Sequence, residues 1–423
     1  MPTLRLILDW MLYRLALLLA APLIPLRLLW RGRRERGYLQ HWGERLGSGD
    51  VPAAALWVHA VSVGEMRAAQ PLIAALRAAH PGMPVLLTCM TPTGRATAES
   101  LYGSFARVVY LPYDYAWLVR RFLRRVRPRA GILMETELWP NVIHAAARLE
   151  IPLVLANARL SERSARGYAR LPALTRACLQ RIAIVAAQTE ADATRLLKLG
   201  AASVRVTGNL KFDIAPPPEM LERGAAWKAK WGQRPVLLAA STREGEEAPI
   251  LRAFAESAPP EMLLVLVPRH PQRFDEVAGL IEAAGLACQR RSALDGALMP
   301  DTRVLLGDSL GELFAYYAAC DVAFVGGSLA PLGGQNLIEP ASAGRPVLVG
   351  PHTFNFEEAT RLATEAGAAL RVNDAADLME YALKLLSDAP ARTRMGEAGL
   401  AFAARHRGAA ARVEGLVSQL LKG

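Results

Sequence analysis

A chain of 423 residues is too long for one compact domain of ordinary size, so two domains are expected. Its hydrophobic fraction of 52% is high for a soluble protein, yet no long apolar run recurs along it. The 50 Lys and Arg against 39 Asp and Glu leave a net charge of +11, an excess that calls for an anionic partner, either nucleic acid or the phosphate face of a membrane. Cys89, Cys178, Cys288 and Cys320 are far apart, sit in apolar or helical runs and form no CxxC pair. Buried free thiols in a reducing compartment are therefore predicted. The 7 histidines are equally scattered, and no metal site suggests itself.

The amino terminus, MPTLRLILDWMLYRLALLLAAPLIPLRLLW, is apolar but interrupted by Arg5, Asp9, Arg14 and Arg27. Its uncharged stretch from Leu15 to Leu26 falls short of the roughly 20 residues that a spanning helix needs. Pro22 and Pro25 would also break a regular helix there. Next comes RGRRERGYLQHWGERLG, with Arg31, Arg33, Arg34, Arg36 and Arg45 among Trp30, Tyr38 and Trp42, a composition suited to a lipid headgroup layer. A cleaved signal peptide carries its basic residues before the apolar run, whereas here the heavier cluster follows it. A monotopic anchor or short span over residues 1–45 is expected, with the rest of the chain on the cytoplasmic side.

From Ala53 onwards, short apolar runs alternate with amphipathic helical stretches. Strands are predicted at ALWVHAV, PVLLTCM, RVVYLPY, AGILMET, PLVLANA, IAIVAAQ and VRVTGN, with helices such as Met66–His80, Trp117–Val126 and Asn141–Glu150 between them. Continuous apolar strands separated by helices imply a parallel sheet covered on both faces. Pro216, Pro217 and Pro218 break the pattern and mark a linker. Beyond it the alternation resumes at PVLLAAS, MLLVLVPR, TRVLLGD, DVAFVGGS, RPVLVGP and ALRVND. The expectation is an α/β protein of two doubly wound, Rossmann-like domains facing a cleft, an N-terminal one over 46–214 and a C-terminal one with closing helices over 215–423. Ligands of such folds lie at the carboxyl ends of the strands.

Glu65 stands at one such end, where it is either a working residue or a first-turn acid that favours the helix dipole. Other polar groups gather at equivalent loops: Gly94 in TCMTPTGRA, Glu135 and Glu137 in METELWPN, Asn157 and Arg159 in LANARLSERS, and Lys211 in GNLKFD. Carboxylates and cations around one cleft suit group transfer to a hydroxyl acceptor. In the second half, LVPRHPQRF places Arg269 and His270 after a strand, and GDSLGELFAYYAAC offers Ser309 and Gly311 at a helix start. FVGGSLAPLGGQNLIEPASAGRPVLVGP supplies Gly326, Gly327, Gly333 and Gly334 before a helix expected near Asn336, an arrangement that reads as a backbone cradle for phosphate. Glu339, one turn in, would accept from the paired hydroxyls of a ribose.

The stretches HAVSVGE, MTPTG, LPYD, METELWPN, ANARLS, GNLKFD, VPRHPQRF, FVGGSLAPLGGQNLIEPA and GPHTFNF, in this order, resemble those of the 3-deoxy-D-manno-octulosonic acid (Kdo) transferases of Gram-negative bacteria. The likeness covers nearly the whole chain. It implies a GT-B glycosyltransferase that moves Kdo from CMP-Kdo to the lipid A precursor (lipid IVA) in lipopolysaccharide biosynthesis, at the cytoplasmic face of the inner membrane. By the same resemblance Glu65 is the general base, and Glu135 and Lys211 assist in the transition state. Pro268 and Arg269, then Gly311, Glu312 and Leu313, then Asn336, Leu337, Ile338 and Glu339, match the CMP-binding segments. Inversion at the anomeric carbon follows, with no cofactor and no metal, since Lys and Arg can neutralise the leaving phosphate. A sugar-nucleotide epimerase and a non-catalytic sugar-nucleotide-binding protein share the two-domain architecture and stand as alternatives. Nucleic acid is not expected as a partner, because the arginines lack the interleaved aromatics of a single-strand platform. Arg120, Arg121, Arg124 and Arg125 form either a solvated helix face or a bilayer contact.

Overall fold

The computed structural model describes residues 3–49, 51–294 and 297–422. It divides into two compact units, one comprising Met1–Asp213 and Gly408–Gly423, the other Ile214–Arg407.

The first unit is built on seven parallel strands: β1 (Leu56–His59), β2 (Val85–Cys89), β3 (Ala106–Tyr110), β4 (Ala130–Met134), β5 (Leu153–Ala158), β6 (Ile184–Ala187) and β7 (Val204–Val206). Their order, β3-β2-β1-β4-β5-β6-β7, reverses between β1 and β4, which makes that gap the switch point where doubly wound sheets bind ligands. Both faces are buried because successive side chains alternate. Trp57, Leu86, Leu133 and Leu155 feed one core layer, and Val58, Leu87, Ile132 and Val154 feed the other. The predicted helix Met66–His80 is instead two helices, Val63–Ala68 and Gln70–Ala79, divided where Pro71 enters the first turn of the second.

The carboxyl-terminal residues differ from the expected boundary at 423 for the second domain: Gly408–Gly423 belong to the first unit. Ala409, Ala410, Val413, Val417 and Leu421 form the apolar stripe of the helix Ala409–Lys422 and complete a core layer there. Asp213 accepts hydrogen bonds from the Gly408 and Ala410 amides and so caps this helix from another part of the chain. Arg412 Nε donates to Thr207 O (2.8 Å), and Arg129 donates to Leu421 O (2.5 Å).

The amino-terminal segment forms two helices, Leu4–Ala20 and Leu23–Gly32, bent by 48° at a break that holds Pro22, while Pro25 is taken into the first turn of the second helix. Among the described residues no single helix is long and apolar enough to cross a membrane; the bent pair passes that test only together. Two polar groups of the first helix, Asp9 and Tyr13, face the protein, while Arg5 and Arg14 are exposed. Asp9 accepts from the Ala173 and Leu174 amides (2.9 and 3.1 Å) and Tyr13 donates to Asp114 (2.6 Å). The leucines face outward, with Leu4, Met11, Leu15, Leu18, Leu19, Leu23 and Leu26 all more than half exposed.

Asp114, the last residue of LPYD, is buried and also accepts from the Asn141 and Val142 amides (2.9 Å each), the first-turn donors of the helix Pro140–Arg148. Burial pushes its acid up to about 6 against these bonds. Asp114→Ala strands two buried N–H groups and is expected to cost about 2–4 kcal/mol, read as a lowered denaturation midpoint with an unchanged slope.

The second unit also holds seven parallel strands: β8 (Val236–Thr242), β9 (Leu263–Pro268), β10 (Cys288–Arg290), β11 (Val304–Leu306), β12 (Val322–Val325), β13 (Val347–Val349) and β14 (Ala369–Arg371). Their order is β10-β11-β9-β8-β12-β13-β14, with the switch point between β8 and β12. The edge strand β10 is absent from the sequence expectation because Gln289 and Arg290 give it no apolar pattern. Cys288, on that edge, is exposed rather than buried, while the other three free thiols are buried. Pro218 is not linker but the first residue of the helix Pro218–Trp231, where its missing N–H costs nothing.

Candidate functional site

In the first unit, Glu65 and Glu135 follow β1 and β4, the two strands that flank the switch point. Ser62 caps the helix Val63–Ala68 by accepting from the Glu65 amide (3.3 Å), and Glu65 reaches back to the Val61 amide (2.8 Å) and the Ser62 hydroxyl (3.0 Å). This reciprocal pairing satisfies two amides at the helix start and holds Glu65 in the first turn. It also presents the carboxylate in a fixed orientation. Burial, then the charges of Glu135 and Glu137, push the acid up to about 7 against the Val61 and Ser62 bonds. A carboxylate so tuned is matched to proton transfer near neutrality.

The adjacent loops are held in unusual backbone. Glu135, just after β4, and Asn157, at an irregularity near the end of β5, both have positive φ (55° and 56°), a strain that clusters at working sites. The Glu135 amide donates to Ala156 O (2.8 Å), which anchors the turn that brings Glu135 and Glu137 beside Glu65. Asn157 Oδ1 accepts from the Leu210 amide (3.0 Å), and Asn209 accepts from the Lys211 amide (3.0 Å). Lys211 thus sits on a short 3-10 turn, Leu210–Phe212, docked to the end of β5. In the TPTG loop, Thr91 caps the helix Pro92–Tyr102 through the Gly94 amide (3.1 Å). His59, which the sequence reading left aside, is fully buried at the end of β1. Burial pulls it down to about 4, and its ring edges onto Trp139 of METELWPN.

In the second unit, four strand ends converge. The Arg269 amide donates to Thr242 O (2.9 Å), joining the ends of β9 and β8. Tyr317, buried on the helix Leu313–Ala319, is pushed well above its ordinary range by burial, then by Glu339, with Cys320 adding to this and Arg269 opposing it. Arg269 and Glu339, from two of the predicted segments, therefore both act on one tyrosine. His270 is lowered by burial and by Arg243, Arg269 and Arg273, which marks a cationic cluster at the ends of β8 and β9. Arg273 is committed to Glu247 (2.7 Å) and Glu276 (2.7 Å). Arg243 joins Arg269 as a candidate binding cation that the sequence reading missed. Its signal was a polar run, STREGEE, after an apolar strand.

Two expectations change here. The helix predicted from Asn336 begins at Ile338 and runs only to Ser342, too short for a substantial dipole at its start. Asn336 instead accepts from the Ile338 amide (3.1 Å) and donates to Glu339 (3.3 Å), which fixes the carboxylate. The glycine-rich run is not an open cradle either. The Gly334 and Gln335 amides donate to Gly327 O (2.7 Å) and Gly326 O (3.0 Å), and those of Gly327, Ser328 and Leu329 donate to Glu246. Gly311 takes a left-handed φ of 78°, and the Glu312 side chain next to it is held by Arg223 (3.0 Å) and Arg291 (3.2 Å). Among the described residues no group of three or more His, Cys, Asp or Glu is placed to hold a metal ion.

The model of a family described as 3-deoxy-D-manno-octulosonic-acid transferase (kdotransferase) matches residues 40–214. A 3-deoxy-D-manno-octulosonic acid transferase of Bordetella pertussis is 49% identical over 416 residues, 95% of this chain and 96% of that one. One of Haemophilus influenzae is 38% identical over 422 residues, 97% and 98% of the two chains. Solved structures share the fold at low identity. They include a glycosyltransferase from Rickettsia africae (TM-score 0.56, 14% identity, 88% of this chain and 99% of that one). A UDP-GlcNAc 2-epimerase from Neisseria meningitidis is another (TM-score 0.55, 19%, 87% and 99%). With such identity to its relatives over nearly its whole length, the chain belongs to the 3-deoxy-D-manno-octulosonic acid transferase family and is a glycosyltransferase.

Proposed function

We propose that this GT-B-type enzyme transfers Kdo from CMP-Kdo to the lipid A precursor, with inversion, at the cytoplasmic face of the inner membrane. The reading is carried by Glu65, a buried carboxylic acid pushed up to about 7 at a sheet switch point in a chain of this family. Ionised, Glu65 takes the proton of the acceptor hydroxyl as that oxygen attacks the anomeric carbon of Kdo. The bond to the phosphate oxygen breaks, and CMP carries away the electron pair. Glu135 keeps the proton affinity of Glu65 high, and Lys211 offers positive charge to the transition state. Arg269, with Arg243 beside it, holds the donor phosphate, and Glu339 accepts from the ribose hydroxyls. Side-chain cations, rather than a helix dipole, carry the leaving charge.

The outward leucines of the two amino-terminal helices support a membrane surface as the partner. This many exposed leucines, with Trp30 at 58% exposure and then Arg31, Arg33, Arg34 and Arg36, suit the interface of an anionic leaflet.

The direct test incubates the full chain, in anionic vesicles, with CMP-Kdo and the lipid A precursor. A product heavier by one or more Kdo residues, with matching CMP release, is expected. Turnover of a UDP-sugar without acceptor would return the protein to the epimerase reading. A finer test is Arg269→Ala. It is expected to weaken CMP binding by about ten- to a hundredfold, the worth of a charge-assisted hydrogen bond, as measured by titration calorimetry.

A further inference from the structure

Five backbone N–H groups of the second unit converge on one buried carboxylate. Glu246 lies in the loop after β8 and is 1% exposed. Its Oε2 accepts from the amides of Gly327 (2.6 Å) and Arg243 (2.9 Å), and its Oε1 from those of Ser328 (2.9 Å), Leu329 (2.9 Å) and, more weakly, Ala330 (3.4 Å). Successive amides curled around an anion, here with Gly327 at a φ of 69°, form the kind of nest that in other proteins receives a phosphate. In this chain the anion is the protein's own.

The clasp spans the switch point between β8 and β12, tying the loop after one to the loop after the other. What it holds is not incidental. Gly327 O receives the Gly334 amide and Gly326 O the Gln335 amide, immediately before Asn336 and Glu339. Ser328 accepts from the Gly350 amide through its hydroxyl (2.8 Å) and from His352 through its carbonyl (2.9 Å), which draws in the loop after β13. Arg243 is gripped through its own amide, and its side chain passes close to Gly327.

We propose that Glu246 is a positioning residue for the donor. Its carboxylate is a built-in anion that fills the nest at the switch point and sets the positions of Arg243 and of the segment leading to Asn336–Glu339. The proposal rests on the CMP-Kdo reading above. It predicts that the nest itself is closed to the donor phosphate, which side chains must therefore hold.

The test compares the full-length parent with Glu246→Ala and the near-isosteric Glu246→Gln. CMP affinity, the KM for CMP-Kdo, kcat, and hydrogen exchange of the amides at 327–330 are measured, each with and without hundred-millimolar acetate and with chloride as the ionic-strength control. Glu246→Ala is expected to lose exchange protection at these amides and about tenfold in CMP affinity, with KM moving more than kcat. Acetate, the fragment that the substitution removes, should restore both. Glu246→Gln is expected to lose affinity similarly but without acetate rescue, because its amide still fills the nest. If Glu246→Ala is unstable without acetate, the Gln variant decides. CMP affinity within twofold of the parent in a folded variant overturns the proposal, as does acetate restoring protection without affinity. Failure of the parent itself to bind CMP would bring down the donor reading and the positioning role with it, while the exchange data would still show whether the clasp forms.

Discussion

Glu65→Gln is expected to lower the transfer rate by roughly a hundredfold to ten-thousandfold, the range that a positioned general base contributes, with CMP affinity unchanged. Glutamine keeps the size and one acceptor oxygen of the carboxylate, so the bond to the Val61 amide can persist and the helix stays capped. What is lost is the ability to take a proton. Glu65 is not among the candidate CMP contacts, so donor affinity is expected to stay at the parent's value. Single-turnover transfer and calorimetric CMP titration on the same preparation separate the two quantities. A variant within tenfold of the parent would move the base elsewhere, with Glu137, also raised by burial and by Glu135, the next candidate.

The second large effect is expected at the amino terminus. Leu15, Leu18 and Leu19 are 53%, 67% and 67% exposed, so charging them leaves the folded interior untouched. If they lie in a bilayer, each Leu→Glu change removes the burial of one leucine, about 1.5 kcal/mol at the low end. Three together come to roughly three decades in partitioning. Sedimentation with anionic vesicles should show the parent bound and the triple variant free, while transfer to a detergent-solubilised acceptor stays near the parent's rate. Equal sedimentation of the two proteins would contradict the membrane reading. The proximity of Tyr115 to the same helix, through a bond from its hydroxyl to Leu17 O (2.7 Å), brings the start of the arginine-rich helix Ala116–Val126 alongside.

The strands of both sheets were readable because a buried parallel strand shows as an unbroken apolar run; LWVH and VLLAAST are of this kind. β10 was not, since an edge strand of three residues needs no apolar side chains and CQR has almost none. The position of Glu65 after β1 was readable for the same reason, but its raised proton affinity was not. That depends on Glu135 and Glu137 arriving from β4, some seventy residues away, and on burial that only the folded chain creates. The return of the last helix was hidden because an apolar stripe of Ala, Val and Leu fits any α/β face. Only the Asp213 cap and the core around Leu210 show which face it takes. The glycine-rich loop misled in an instructive way. Its pattern read as a cradle for phosphate, but the amides from Gly327 onward are taken by Glu246, about eighty residues earlier in the chain.

The pH dependence of single-turnover transfer at saturating CMP-Kdo puts the role of Glu65 most directly at risk. Its acid is pushed from 4.5 up to about 7, so the base is protonated and idle below that pH and ionised above it. The same shift means that the stabilising contribution of this group is complete below its ordinary value and is lost as pH rises through about 7. The rate should therefore climb with pH along a limb centred near 7, and the residual rate of Glu65→Gln should lack that limb. A parent profile flat from pH 5 to 8, or the same limb surviving in the Gln variant, would show that Glu65 is not the group that takes the proton.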